Sequence, residues 1–243
     1  MKKSIVFLMF LIFGCSSEDG CFSKKGDAVT KIETLAGFHT IDIPMNVSVE
    51  IIPNNESKLE IHSFENRISA LSFSVKDSVL IITNEVSCEM LKSYETAVLK
   101  IHTPTLKRIN SHTQFNVYSN DTLRYPSLYL LTSVPNESGA STHFNLKLNS
   151  QKITVEDNQV GYFELKGKVN ELDVKLYGGN GTVDAKQLRA KYVNIYHRSN
   201  QNIHLFPINK LEGIIASVGN VYLYNKPDTV SIERLYTGNV FYK

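Results

Sequence analysis

Apolar and polar residues alternate through most of this chain from Phe38 onward. Ile41, Ile43, Val47, Val49 and Ile51 alternate with His, Asp, Ser and Glu neighbours. Leu59-Glu60-Ile61, Phe73-Ser74-Val75, Val79-Leu80-Ile81-Ile82 and Val98-Leu99-Lys100-Ile101 continue the pattern. A period of two sends every second side chain to one face of an extended strand, so these segments predict strands with one buried face. Pro53-Asn54-Asn55 and Lys76-Asp77-Ser78 supply turns. No amphipathic helix of useful length is present, and Glu89 to Tyr94 has room for a single turn.

The second half repeats itself. A polar residue or Gly followed by apolar-x-apolar recurs at Asn116-Val117, Asn145 to Leu148, Gly161 to Leu165, Thr182-Val183, Asn202 to Leu205, Asn220 to Leu223 and Asn239 to Tyr242. From Phe163 to Val183, Ile203, Val221 and Val240 the steps are 20, 20, 18 and 19 residues. A second strand interleaves at Ile153-Thr154-Val155, Leu172 to Leu176, Val193-Asn194-Ile195, Leu211 to Ile215 and Val230-Ser231-Ile232. Two short strands per step is the arithmetic of a β-solenoid. One coil cannot bury its own apolar face, but coils stacked about 4.8 Å apart share a continuous core.

Gly178-Gly179-Asn180-Gly181, Val218-Gly219-Asn220 and Thr237-Gly238-Asn239 fall between strands. Gly and Asn accept positive φ at low cost, which a sharp corner requires. Asn202, Asn220 and Asn239 fall one above another in this scheme, so their amides can hydrogen-bond along the solenoid axis. The competing architecture is an antiparallel sandwich with regular hairpins. The constant period and the strand-turn-strand phase favour the solenoid. Its test is whether Phe163, Val183, Ile203, Val221 and Val240 share one dry interior.

The N-terminus carries a separate signal. Lys2-Lys3 precede an apolar run from Ile5 to Phe13, then Gly14 and Cys15. A positive start, a short apolar core and a small residue at the cut form the export pattern. The run is too short to span a bilayer as a helix, which takes about 20 residues. Leu11-Ile12-Phe13-Gly14-Cys15 resembles a bacterial lipobox. That likeness implies cleavage after residue 14 and acyl chains such as palmitate on Cys15, with several chains holding the protein at the membrane. An ordinary signal peptide with an incidental Cys is the alternative. Residues 15 to 34 then read as a flexible tether, being polar and small at their start. Its Glu18-Asp19 pair loosely resembles the surface-export tags of Bacteroidota lipoproteins, and equally suits a solvated linker.

Composition narrows the field. The formal charge is +2, and losing Lys2 and Lys3 brings it to 0. A neutral chain has no electrostatic case for nucleic acid or an anionic lipid surface. Apolar residues at 42%, with 12 Tyr, 12 Phe and no Trp, suffice for a core. Outside the cytoplasm Cys21 and Cys88 can bridge, or remain two free thiols.

One stretch carries a family likeness. Ala216-Ser217-Val218-Gly219-Asn220-Val221-Tyr222-Leu223-Tyr224-Asn225-Lys226-Pro227 resembles the closing repeat of the head GIN-domain family, the autotransporter-adhesin-like proteins. Thr237-Gly238-Asn239-Val240 looks like that family's final corner, and the Phe38 to Ile51 opening and the Leu80-Ile81-Ile82 strand also fit. The likeness spans residues 35 to 243. It departs from the family pattern at Ser217-Val218-Gly219, His197 to Asn200, Asn136 to Gly139 and Asn225, where Gly-rich corners are replaced. The resemblance implies an all-β, right-handed β-helix-like fold of two sheets with an N-terminal strand region. It also implies an envelope location and an adhesin-like role, with no established activity to carry over.

Candidate chemistry is sparse. Enzymes that act on polysaccharide need convergent carboxylates or cations. The candidates are Glu156, Asp173, Lys175 and Asp184, whose alternation also suits a solvated strand face. His39, His62, His102, His112, His143, His197 and His204 are scattered, without metal-helix spacing, and alternation places most of them outward or in turns. Gly178-Gly179-Asn180-Gly181 lacks the Lys and following helix of a phosphate loop. No cofactor is implied.

The surface offers more. If Ile203, Leu205, Val221, Leu223, Val240 and Tyr242 point inward, then His204, Phe206, Tyr222, Tyr224 and Phe241 point outward and gather into a column. Such a strip suits a glycan, a protein partner or a second copy of the chain. The last coil also leaves an open edge near Val240-Phe241-Tyr242. Asp77-Ser78-Val79, Asp121-Thr122-Leu123 and Asp228-Thr229-Val230 resemble a Bacteroidota O-glycosylation sequon, which marks Ser78, Thr122 and Thr229. The chain therefore reads as a lipid-anchored outer-membrane or envelope protein, non-catalytic and adhesin-like or scaffolding. A carbohydrate-binding or carbohydrate-active β-helix protein is the alternative.

Overall fold

The computed structural model describes residues 26–85, 96–132 and 141–243. The signal segment, Cys15, Cys21, Cys88, the 89–94 turn and the 136–139 corner lie outside the described residues, as does most of the tether.

The N-terminal strands are β1 (Ala28–Thr34), β2 (Thr40–Ile43), β3 (Val47–Pro53), β4 (Lys58–Phe64), β5 (Leu71–Lys76) and β6 (Val79–Asn84). A single helical turn, α1 (Glu65–Ile68), separates β4 from β5. Then follow β7 (Ala97–Thr103), β8 (Arg108–Ser111), β9 (Asn116–Leu123) and β10 (Ser127–Leu131). Four long strands make the body: β11 (His143–Asp157), β12 (Tyr162–Leu176), β13 (Thr182–His197) and β14 (Ile203–Ile215). The chain closes with β15 (Val221–Leu223), β16 (Thr229–Arg234) and β17 (Val240–Tyr242).

Pairing runs in two parallel columns. One climbs from β7 through β3 and β9 into the first halves of β11 to β14, then β15 and β17. The other climbs from β6 through β2, β8 and β10 into the second halves of β11 to β14, then β16. Both columns enclose one apolar core. The two short strands expected per coil are fused: β11 to β14 each carry hydrogen bonding round the bend. The described strands form one curled sheet. The bend in β12 falls at Gly167, whose φ is +113° and whose Cβ position would lie 2.1 Å from the Leu148 carbonyl oxygen. Only glycine lets two neighbouring coils close that tightly.

The vertical registers match the period. Phe144 lies opposite Phe163, Phe163 opposite Val183, Ile203 opposite Val221 and Val221 opposite Val240. Asp184 opposite His204 places Val183 beside Ile203. Phe163, Val183, Ile203 and Val221 are fully buried, while Val240, on the last coil, is half-buried against the same core. The second column stacks Ile153, Leu172, Val193 and Leu211 inside, and ends on Val230, 38% exposed.

The N-terminal end is closed differently. β4 pairs antiparallel with β7, β1 antiparallel with β4, and β5 antiparallel with β6. Residues 28 to 34, expected as the end of the tether, are thus strand β1. Antiparallel strands laid across the first coil protect its free backbone groups from a foreign strand. At the other end β16 is exposed at every position but Ile232.

Candidate binding surface

The outward positions of the first column read Asn145, Glu164, Asp184, His204, Tyr222 and Phe241 from coil to coil. The last three stack. His204 and Tyr222 ring centroids are 5.2 Å apart at 15°, and Tyr222 and Phe241 are 5.5 Å apart at 24°. Tyr224 joins them, its hydroxyl 3.2 Å from His204 Nδ1. The Lys243 ammonium sits 4.8 Å from the Tyr222 ring centroid, a cation-π contact on the exposed side. Partial burial lowers the pKa of His204, against the pull of Asp184, so a neutral imidazole stacks here at pH 7. Of the five aromatic candidates four meet in one patch. Phe206 does not; its ring faces the Arg189 guanidinium at 5.2 Å.

An asparagine ladder holds the patch in place. The Asn220 amide N–H donates to Asn202 Oδ1 at 2.9 Å, its side chain donates to the same oxygen at 3.2 Å, and the Asn239 N–H donates to Asn220 Oδ1 at 3.0 Å. Beyond it the final coil shows Leu235, Tyr236, Phe241 and Tyr242 to solvent, at 43 to 63% exposure.

The carboxylates do not converge. Asp173, on the second column, pairs with Lys152 at 2.8 Å; Asp184, on the first, pairs with Lys186 at 2.7 Å. Glu156 accepts the Tyr129 hydroxyl, whose pKa is pushed up to about 12 by burial and that bond. Lys175 lies in register between Glu156 and Tyr196. Asp173, Asp184 and Glu156 are each held by a neighbouring side chain, and the three are not brought together at one point. Among the described residues no cluster of His, Cys, Asp or Glu could hold a metal ion.

Among the described residues two histidines depart from the expected outward placement: His102 is buried beside Glu60, and His197 more deeply still. His197 is completely buried between Leu176 and Ile215 in the second column. Burial drives its pKa down to about 4, partly opposed by the nearby backbone of Gly219 and Gln201, and neither ring nitrogen makes a well-formed hydrogen bond.

A groove of about 380 Å³ opens where β11 to β14 bend, lined by Asn149, Ser150, Gln151, Lys168, Asn170, Arg189, Lys191 and Asn209 among others. Nothing in the alternation pointed to it, because the bend lies between apolar pairs and its register depends on bulges. From Asp184 to Arg189 β13 spends five residues where β14 spends two, from His204 to Phe206.

Residues 37–227 match the family model described as "Putative auto-transporter adhesin, head GIN domain". The chain belongs to this family. A "putative adhesin" of Bacteroides fragilis has a similar structure, with TM-score 0.75 at 18% identity over 89% of this chain and 97% of that one. A "putative adhesin" of Parabacteroides distasonis aligns with TM-score 0.63 at 15% identity, covering 90% of this chain and 98% of that one. A "putative lipid binding protein" of the same species aligns with TM-score 0.63 at 14% identity over 89% and 97%. At these identities the likeness shows a shared fold. A search of curated proteins gives no match.

In this GIN domain Ser and Asn side chains tie the later corners to the preceding coil. Ser199 Oγ donates to the Gly181 carbonyl at 2.6 Å, and Asn225 Nδ2 donates to the Pro207 carbonyl at 2.7 Å. The three sequon-like hydroxyls lie far apart in the fold: Ser78 in the exposed β5–β6 turn with φ +62°, Thr122 half-buried in β9, and Thr229 exposed at the start of β16.

Proposed function

We propose that this GIN-domain chain is a lipid-anchored, non-catalytic protein of the cell envelope, adhesin-like or scaffolding in role. Cys15 carries the acyl anchor, the solenoid winds right-handed as a rigid post, and its last coils present the contact surface. The observation that carries this reading is the His204–Tyr222–Phe241 stack, half-exposed and continuous with the open final coil. Aromatic rings stacked in register, rimmed by Lys243, form a surface that loses little entropy on association. The names of the structural relatives agree with a binding role, and the paired, dispersed carboxylates give no support to a hydrolytic one.

The double variant Tyr222→Ser, Phe241→Ser tests it. In the wild type, light scattering is expected to show mass rising with concentration, or labelled protein to adhere to cells; the variant loses both while its melting transition stays within a few degrees. Unchanged association and adherence in a folded variant would remove the aromatic patch from the account. Anchoring is checked separately by palmitate incorporation, which Cys15→Ser abolishes. O-glycosylation at Ser78, Thr122 and Thr229 predicts a mass excess that the triple Ala variant lacks.

Carbohydrate binding remains as a second reading because the bend groove, distinct from the aromatic patch, sets amides and cations round a largely apolar surface.

A further inference from the structure

We propose that the groove at the bend of β11 to β14 binds a carboxylated polysaccharide, one whose repeating acid groups are uronates. The inference names a ligand class for the carbohydrate-binding reading above and rests on it.

The groove is a built site. Lys168 and Arg189 lie directly opposite each other on adjacent coils, a step of about 4.8 Å along the solenoid axis. Lys191 follows two residues after Arg189 on the same strand and lines the same groove. All three are exposed, and among the described residues none of them is drawn into an ion pair. Several lysines elsewhere, Lys152, Lys166, Lys186 and Lys210 among them, fold back onto neighbouring acids, and these three do not. The nearby acids are already committed: Glu171 to Lys152, and Asp228 to the side chain of Asn209. A row of unpaired cations with no acid among its lining residues attracts an anion.

The rest of the lining is mixed: Val169, Ile208 and the stems of the longer side chains make most of its surface apolar, and amides supply its polar points. Asn149, Gln151, Asn170 and Asn209 present amides, each able to donate and accept with a hydroxyl-rich ligand. The Arg189 guanidinium is held over the Phe206 ring, which fixes its planar fork for a bidentate carboxylate contact. The irregular register of β13 is what brings these groups together. The extra residues between Asp184 and Arg189 push the Arg189 to Lys191 segment round to the bend, as bulges commonly re-aim side chains beside sites. A polymer laid along the axis meets a cation on successive coils and amides between them. A small free anion could bridge Lys168 and Arg189 but would leave the amides along the rest of the groove unused.

The test uses the purified full-length protein and immobilised polygalacturonate, with neutral dextran, dextran sulfate and polyglutamate as comparison surfaces. Wild-type protein is expected to bind polygalacturonate in a salt-sensitive manner, and to bind the other three at least about tenfold more weakly. Lys168→Ala with Arg189→Ala and Lys191→Ala abolishes binding. Lys226→Ala, at an exposed site away from the groove, leaves binding intact. Equal binding to polyglutamate or dextran sulfate overturns the proposal in favour of unselective charge attraction. No binding, or binding that survives the triple variant, overturns it outright. The Tyr222→Ser, Phe241→Ser variant separates the two readings: it keeps polygalacturonate binding if the groove is the site. Adherence lost in that variant, with no uronate binding in the wild type, leaves the aromatic patch standing and the groove proposal wrong.

Discussion

Phe144 and Phe163 lie one above the other inside the solenoid, their ring centroids 5.0 Å apart and their planes 8° from parallel. Parallel pairing in register leaves identical side chains on adjacent coils no other arrangement, since the strands themselves are about 4.8 Å apart. Val183 continues the same column on the next coil, so the Phe163 ring is packed from above and below.

Phe163→Ala therefore opens a void between two coils that backbone pairing prevents from collapsing. A loss of about 3–5 kcal/mol is expected in urea-induced unfolding, with Phe163→Leu losing clearly less. A loss under about 1 kcal/mol would mean that the coils are not coupled through this column.

Gly167 tests the bend rather than the core. Its φ of +113° excludes most side chains, and a Cβ there would lie 2.1 Å from the Leu148 carbonyl oxygen. Because backbone rather than a movable side chain is in the way, Gly167→Ala is expected to cost about 3 kcal/mol or more, or to prevent folding. Circular dichroism melts of the variant beside Gly37→Ala check this, since a Cβ at Gly37 meets nothing within 4 Å.

These two positions show how far the sequence could be read. The Phe163 column was legible because a 19-residue beat of apolar residues has one simple physical meaning: equivalent positions must share an interior. The asparagine ladder of Asn202, Asn220 and Asn239 followed from the same beat. The bend at Gly167 was not legible as a bend within a continuous strand, because lone glycines break strands as readily as they curve them. The antiparallel cap was hidden too, since β1 lies in a segment whose composition matches a tether and is mostly exposed. The aromatic patch could be assembled from alternation, but the cationic groove could not. Lys168 and Arg189 are 21 residues apart, outside the 18–20 residue step, and meet only because β13 shifts register.

Asn220 sits at the centre of the ladder, accepting from the Asn239 N–H and donating to Asn202. Asn220→Ala removes both contacts and leaves a backbone N–H at the last corner short of its acceptor. The site is partly exposed, so water recovers some of the loss, and a destabilisation of about 1 kcal/mol is expected. Hydrogen exchange should place the effect locally, with faster exchange at Asn239 and unchanged protection in β11 and β12.

His197 makes the fold sensitive to acid. Its pKa in the folded state is about 4 because burial between Leu176 and Ile215 disfavours the charged ring, against 6.5 for an ordinary histidine. Above pH 6.5 the ring is neutral folded or unfolded and stability is at its full value. Between 6.5 and 4 the unfolded chain takes up a proton that the folded chain refuses, so stability falls as pH falls. Below 4 the loss from this group levels off at roughly 3 kcal/mol. Asp157 works the other way: burial raises its carboxyl pKa above the usual value, so its contribution favours the folded state as acid is added. The comparison that isolates the histidine is wild type against His197→Leu, since leucine suits a column position flanked by Leu176 and Ile215. Denaturant unfolding from pH 7.5 to 4 should show a clearly steeper fall in the wild type than in the variant, where His102 and His204, also held below the ordinary histidine value by burial, still titrate. Parallel pH profiles in the two proteins would show that His197 is not the acid-sensitive group.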